Sequence, residues 1–198
     1  MHPSRRLLSI NTAQAQAMII SERRIMTAIG KRAVSTLDDP CRIEVQRLGL
    51  EGDEQSDLTV HGGLSKAVYA YPHEHYAFWQ TVRSQAKAQE WGEPLPHGML
   101  GENLTITGLL EAGAFVGDVL QFPDCRLAIS EPRRPCYKFE AAMGFKQAVK
   151  MMAQSGYCGF YLSVLQPGTL AAGESYELTP GQREVSIAEL FKAKMRRD

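Results

Sequence analysis

Short apolar or alternating runs, each ended within a few positions by glycine, proline or acidic turn residues, recur along this chain and bound what it can fold into. Residues 43–46 (Ile-Glu-Val-Gln) alternate apolar with polar, the two-residue period of a half-buried strand. Residues 67–71, 104–107, 116–122, 127–130 and 160–165 read as strands, as do the shorter 7–10 and 18–20. Residues 28–34, carrying Lys31 and Arg32, read as strand or loop, and 169–178 as a final turn and strand. Turn chemistry separates these runs: residues 49–57 are glycine-rich and acidic, 92–101 hold Pro94 and Pro96, and Pro167-Gly168 closes another. Three segments read as helical. Tyr76, Trp79, Val82 and Ala86 recur at helical spacing, which predicts a helix over 73–90 with Pro72 suited to its first turn. Phe145, Val149 and Met152 mark a second helix that stops near Gly156, and 186–197 form a basic third. The pattern predicts a mainly β chain, a β-barrel-like core with a few peripheral helices, and no repeat or linker that would divide it.

A chain of 198 residues, 44% hydrophobic and 22% charged, is sufficient for one domain with a sizeable core. Lys plus Arg and Asp plus Glu balance at 22 each, which argues against bulk binding to nucleic acid or an anionic membrane. No run approaches the ~20 apolar residues of a membrane span, and the N-terminus has no signal-like apolar core. The four cysteines, Cys41, Cys125, Cys136 and Cys158, form no CxxC pair, so neither a zinc site nor an iron–sulfur cluster is expected. Reduced thiols in a cytoplasmic protein are the expectation.

One stretch carries more chemistry than the rest: Glu131-Pro132-Arg133-Arg134-Pro135-Cys136-Tyr137-Lys138. The prolines stiffen the backbone and disfavour helix in the residues before them, so Arg134 and Cys136 are presented from a rigid, non-helical segment. The three cations favour a thiolate at Cys136, and a thiolate is both a nucleophile and a soft metal ligand. The same residues also suit a small buried cysteine flanked by solvated arginines, and Glu131 suits an ion pair that orients them.

Two other groups are weaker. His61-Gly62-Gly63 followed by Lys66 offers backbone amides and a point charge to an anion, although the spacing is not that of a P-loop and a plain glycine turn explains it equally. Gly101-Glu102-Asn103, just before a strand, suits either a heterocycle edge or a turn whose side chains cap local backbone. His73 and His75, two apart on a helix, do not face each other, so no metal is expected there. There is no GxGxxG, GxSxG or HExxH, so redox chemistry would need electrons from elsewhere.

In order along the chain, several of these segments together resemble the MOSC family, the C-terminal domain of molybdenum cofactor sulfurases, and its YiiM-like branch. They are Gly49-Leu50-Glu51-Gly52-Asp53 with the acidic residues after it, His61-Gly62-Gly63-Leu64-Ser65-Lys66 with the strand that follows, and Gly101-Glu102-Asn103. They continue with Val116-Gly117-Asp118, Pro132-Arg133-Arg134-Pro135-Cys136, and Gly156-Tyr157-Cys158-Gly159-Phe160-Tyr161. The resemblance implies a MOSC β-barrel domain over 1–185 and a short C-terminal helix over 186–198, the family's further helical segment being reduced or missing. It implies a cleft for molybdenum cofactor (molybdopterin) with Cys136 as the metal ligand. His61, Gly62, Gly63, Lys66, Glu102, Asn103, Arg133, Arg134 and Lys138 are its candidate cofactor contacts. It also implies an oxidoreductase that reduces N-hydroxylated small molecules with electrons from an external flavin reductase. The alternatives are a sulfur carrier passing a Cys136 persulfide to a cofactor or metal–sulfur cluster, and a carrier that stores the cofactor without turnover.

Overall fold

The computed structural model describes residues 4–54 and 62–196. The chain runs β1 (Arg6–Thr12), β2 (Gln16–Ile20), β3 (Arg23–Thr27), β4 (Arg32–Thr36), β5 (Ile43–Gln46), β6 (Gly49–Leu50), β7 (Val68–Pro72), α1 (Tyr76–Gln85) and β8 (Leu104–Thr107). It continues through β9 (Val119–Gln121), β10 (Arg126–Pro132), α2 (Tyr137–Met143), α3 (Ala148–Ser155), β11 (Phe160–Gln166), β12 (Gly168–Leu170), β13 (Glu177–Thr179) and α4 (Ile187–Met195). Short 3-10 turns at Leu64–Lys66 and His73–His75 flank β7.

Eight strands form one sheet in the order β13-β9-β10-β11-β7-β8-β1-β4. Every neighbouring pair is antiparallel except β7 and β8, which are parallel and joined by the crossover that holds α1. β7 is buried along its whole length, which is why its apolar run lacks a polar face. Around it pack Leu7 and Ile10 of β1, Leu104 and Ile106 of β8, Leu127 and Ile129 of β10, and Phe160 and Leu162 of β11. Trp79 of α1 is fully buried and meets Phe139 of α2 edge to face at 5.4 Å, fixing both helices on the sheet.

The mainly β expectation holds, but the sheet does not close into a barrel. The reason lies in β1. One edge of β1 pairs with β8, and its other edge is divided. Residues from Ser9 to Thr12 take β4, while Arg6 makes a single bridge to Ser175, just before β13. The two ends of the curled sheet meet at that bridge and no continuous ladder joins them among the described residues.

Several local expectations shift. Pro72 ends β7 in an extended conformation instead of entering the helix. α1 stops at Gln85, short of residue 90, because the Arg83 side chain turns to the carbonyls of Met143 and Ala88 and Lys87 takes a positive φ of 58°. α2 has no counterpart in the sequence reading. The second helix does stop at Gly156, whose φ of 75° is a left-handed cap. α4 starts in a capping box: the Ser186 hydroxyl accepts from the Glu189 N–H and the Glu189 carboxylate accepts from the Ser186 N–H. Among the described residues no helix is long and apolar enough to cross a membrane.

Candidate functional site

A cleft opens where five separate connections converge near the start of the central strand β7. Its empty volume, including open solvent at the mouth, is about 610 Å³. Thr27 lines it from the end of β3, Ala28, Ile29 and Lys31 from the β3–β4 connection, Asp53 and Glu54 from the stretch after β6, and Lys66 and Tyr69 from the entry to β7 and the strand itself. Gly101 and Asn103 come from the approach to β8, Arg133, Cys136 and Lys138 from the β10–α2 corner, and Tyr161 from β11.

Cys136 is half-buried in this wall. It is the last extended residue before α2, with φ −138° and ψ 176°. Arg133, three residues earlier, is buried. Its guanidinium donates to the Leu100 carbonyl at 2.5 Å and lies over the rings of Tyr69 at 5.0 Å and Phe139 at 4.8 Å. Burial works against its charge, while the neighbouring Tyr69, Tyr161 and Cys136 groups favour it and hold its pKa above the usual value. Among the described residues no carboxylate forms an ion pair with Arg133, so a buried cation meets the cleft without an internal counter-charge. Burial also pushes the Tyr69 and Tyr161 hydroxyls up, so both stay protonated.

On the rim, the Lys66 ammonium lies 5.9 Å from the centre of the Tyr161 ring and 3.7 Å from Glu131. The other Glu131 oxygen takes Lys194 of α4 at 2.7 Å, tying the C-terminal helix to this side of the cleft. The opposite wall is a polar network. Asp53 Oδ1 accepts from the Ala13 N–H at 2.9 Å and pairs with Lys31. Asp53 Oδ2 accepts from Asn103 Nδ2 at 2.8 Å. Asn103 Oδ1 accepts from the Tyr69 N–H at 3.0 Å, so one side chain joins β7, β8 and the Asp53 turn. Burial lowers the Lys31 pKa, with Asp53 opposing the shift.

Of the residues predicted from sequence, Cys136, Lys66, Asn103, Arg133 and Lys138 meet in the cleft. Arg134 is exposed and does not line it, nor do Gly62 and Gly63. His61 lies outside the described residues. Glu102 also stays out of the cleft wall. It is fully buried, its carboxylate accepting from the Gly98 and Leu100 N–H groups and the Tyr76 and Thr105 hydroxyls, and burial raises its pKa. Its glycine neighbour lines the cleft instead: Gly101 has φ +83°, and a Cβ there would stand 3.0 Å from Ile29 Cγ1. The sequence reading did not assign Lys31, Asp53, Tyr69 or Tyr161 to the site. Asp53, Tyr69 and Tyr161 lay within its motifs, and Lys31 carried no signal beyond its charge.

The fold and the site together define a mainly β domain with a cysteine set among cations in a cleft. Residues 57–177 match the MOSC domain family. "Uncharacterized protein YflK" of Bacillus subtilis is 36% identical over 182 residues, covering 91% of this chain and 76% of that protein. The crystal structure of YiiM from Geobacillus stearothermophilus superposes with a TM-score of 0.73 at 28% identity, over 98% of this chain and 85% of that one. A protein of Gibberella moniliformis named "Reductase" is 32% identical over 133 residues, 66% of this chain but 22% of that protein. The chain belongs to the MOSC domain family and is similar to its YiiM members.

Proposed function

We propose that this chain binds molybdenum cofactor in the cleft and reduces N-hydroxylated small molecules. The observation that carries the reading is a cleft in which a half-buried thiol stands beside a buried cation that no carboxylate pairs with among the described residues. That donor set fits a phosphorylated, thiolate-ligated metal group: soft sulfur for the metal and fixed positive charge for the phosphate. MOSC membership and the name of the fungal relative support the same class.

Cys136 Sγ would hold the metal, and Arg133, Lys66 and Lys138 would neutralise the phosphate. When bound, the cofactor supplies two-electron redox chemistry at molybdenum. The overall change is R–NHOH + 2e⁻ + 2H⁺ → R–NH₂ + H₂O, with the electrons delivered by an external flavoprotein in the cytosol. The chain's own part is to orient the ligand, keep the Arg133 charge in place and exclude water with the Tyr69 and Tyr161 rings.

The test is molybdenum content by plasma mass spectrometry on protein from a host that makes the cofactor, with wild type beside Cys136→Ser. Near-stoichiometric metal in the wild type, lost in the variant together with N-hydroxylated-substrate turnover, is the expected result. Molybdenum retained in Cys136→Ser would overturn the ligand assignment. Its absence from the wild type would overturn the cofactor reading.

A further inference from the structure

Lys31 is the least explained group in the cleft. Its side chain is only 8% exposed, yet among the described residues its ammonium makes one hydrogen bond, to Asp53 Oδ1. An ammonium has three donors, and buried donors are almost always satisfied. The Lys31 backbone cannot back away to rehydrate the group, because Gly98 packs against it so closely that a Cβ there would stand 2.8 Å from the Lys31 carbonyl oxygen. Asp53 is held as firmly. Oδ1 is filled by Ala13 N–H and Lys31, while among the described residues Oδ2 takes only Asn103 Nδ2 and keeps a lone pair. Both side chains line the cleft, and together they are nearly neutral. This wall therefore offers an N–H donor next to a carboxylate acceptor, whereas the Arg133, Lys66 and Lys138 side offers positive charge.

We propose that the Lys31–Asp53 pair recognises the lactam edge of a bicyclic heterocycle, the Lys31 ammonium donating to the ring carbonyl and Asp53 Oδ2 accepting from the adjacent ring N–H, while the anionic end of the ligand reaches Arg133. The proposal rests on the reading of the cleft as the site of a phosphorylated heterocycle. It adds which wall reads the ring and in which direction the ligand lies. A lactam edge belongs both to a pterin and to an oxopurine, so the cofactor and a nucleobase substrate share this chemistry.

The experiment is calorimetric titration of the purified protein with pterin-6-carboxylate, guanosine 5′-monophosphate, 1-methylguanosine 5′-monophosphate and inorganic phosphate, on wild type and Lys31→Met. The lactam probes should bind wild type at least about tenfold tighter than phosphate, and methylation of the lactam nitrogen should abolish that advantage. Lys31→Met should lose about tenfold to a hundredfold for the lactam probes and leave phosphate unchanged. Equal affinity for the methylated and unmethylated nucleotide, or lactam discrimination intact in Lys31→Met, would overturn the proposal. The methylation comparison needs only the wild type, so it stands even if the variant does not fold. Tighter binding of the pterin assigns the pair to the cofactor, and tighter binding of the nucleotide assigns it to substrate. Failure of the molybdenum reading shows separately, as wild type that binds the lactam probes through Lys31 but carries no metal.

Discussion

Replacing Glu102 with glutamine separates a ligand contact from a scaffold. The Glu102 carboxylate faces four donors. Oε1 accepts from the Tyr76 and Thr105 hydroxyls and the Gly98 N–H, and Oε2 accepts from the Leu100 N–H. Glutamine keeps one acceptor oxygen. In its best orientation it preserves the three bonds at Oε1 and turns its NH₂ toward the Leu100 N–H, losing one bond and setting donor against donor. A hydrogen bond to a charged group contributes about 1.5–3 kcal/mol, and relief of a buried carboxylate whose pKa burial has raised offsets part of that, leaving a net cost of about 2 kcal/mol. For a chain of this size that corresponds to a fall in Tm of about 4–8 °C. Urea unfolding should show a lower midpoint with an unchanged slope, and phosphate affinity at 20 °C should stay within about threefold, well below the tenfold of a lost 1.4 kcal/mol contact. An unchanged midpoint with lost phosphate affinity would refute the scaffold argument and return Glu102 to the ligand.

Three further predictions concern the frame around the cleft. Burial, with His73 second, holds His97 down to about 4, so the stability it contributes is complete above its unfolded value of 6.5 and is lost as pH falls from there through about 4. His97 is half-exposed, so the full linkage value is discounted to about 1 kcal/mol, read as a smaller loss of urea midpoint between pH 7 and 4.5 in His97→Gln than in wild type; equal losses would refute it. Gly159→Ala should cost about 3 kcal/mol or more in denaturant unfolding, since φ is +62° and the new Cβ would stand 2.5 Å from the Ala70 carbonyl oxygen; a cost under about 1 kcal/mol would show that the strand corner can give. Ser186→Ala removes the hydroxyl of the α4 capping box and should lower stability by about 1 kcal/mol, and an unchanged melt would mean that the helix is held by packing alone.

The cleft was partly legible in the chain because some of its residues are neighbours in sequence. Cys136, Arg133 and Lys138 lie within six positions, and prolines restrict that stretch whatever surrounds it. The strands at Ile43–Gln46 and Leu104–Thr107 appeared at their observed bounds because side-chain alternation is a local signal. The β2–β3 hairpin was only half read. Its two-residue turn uses Ser21 and Glu22 at φ 48° and 65°, where glycine or asparagine would have announced the left-handed geometry.

Glu102 and Asn103 show where sequence runs out. They are adjacent, so their side chains leave the backbone in different directions, and only the packing of the approach to β8 decided that Asn103 faces the cleft while Glu102 faces inward. Lys31 and Asp53, 22 residues apart, meet because Asn103 and the Ala13 backbone hold the Asp53 turn in place. The open sheet depends in the same way on how β1 divides its outer edge between β4 and Ser175. Residue type and spacing determined strands such as Ile43–Gln46 and Leu104–Thr107 and placed a cysteine among cations, since those depend on nearest neighbours along the chain. The tertiary structure alone decided which charges are buried, which are paired and which face the cleft, because burial and pairing are set by strand order and register between residues far apart in sequence.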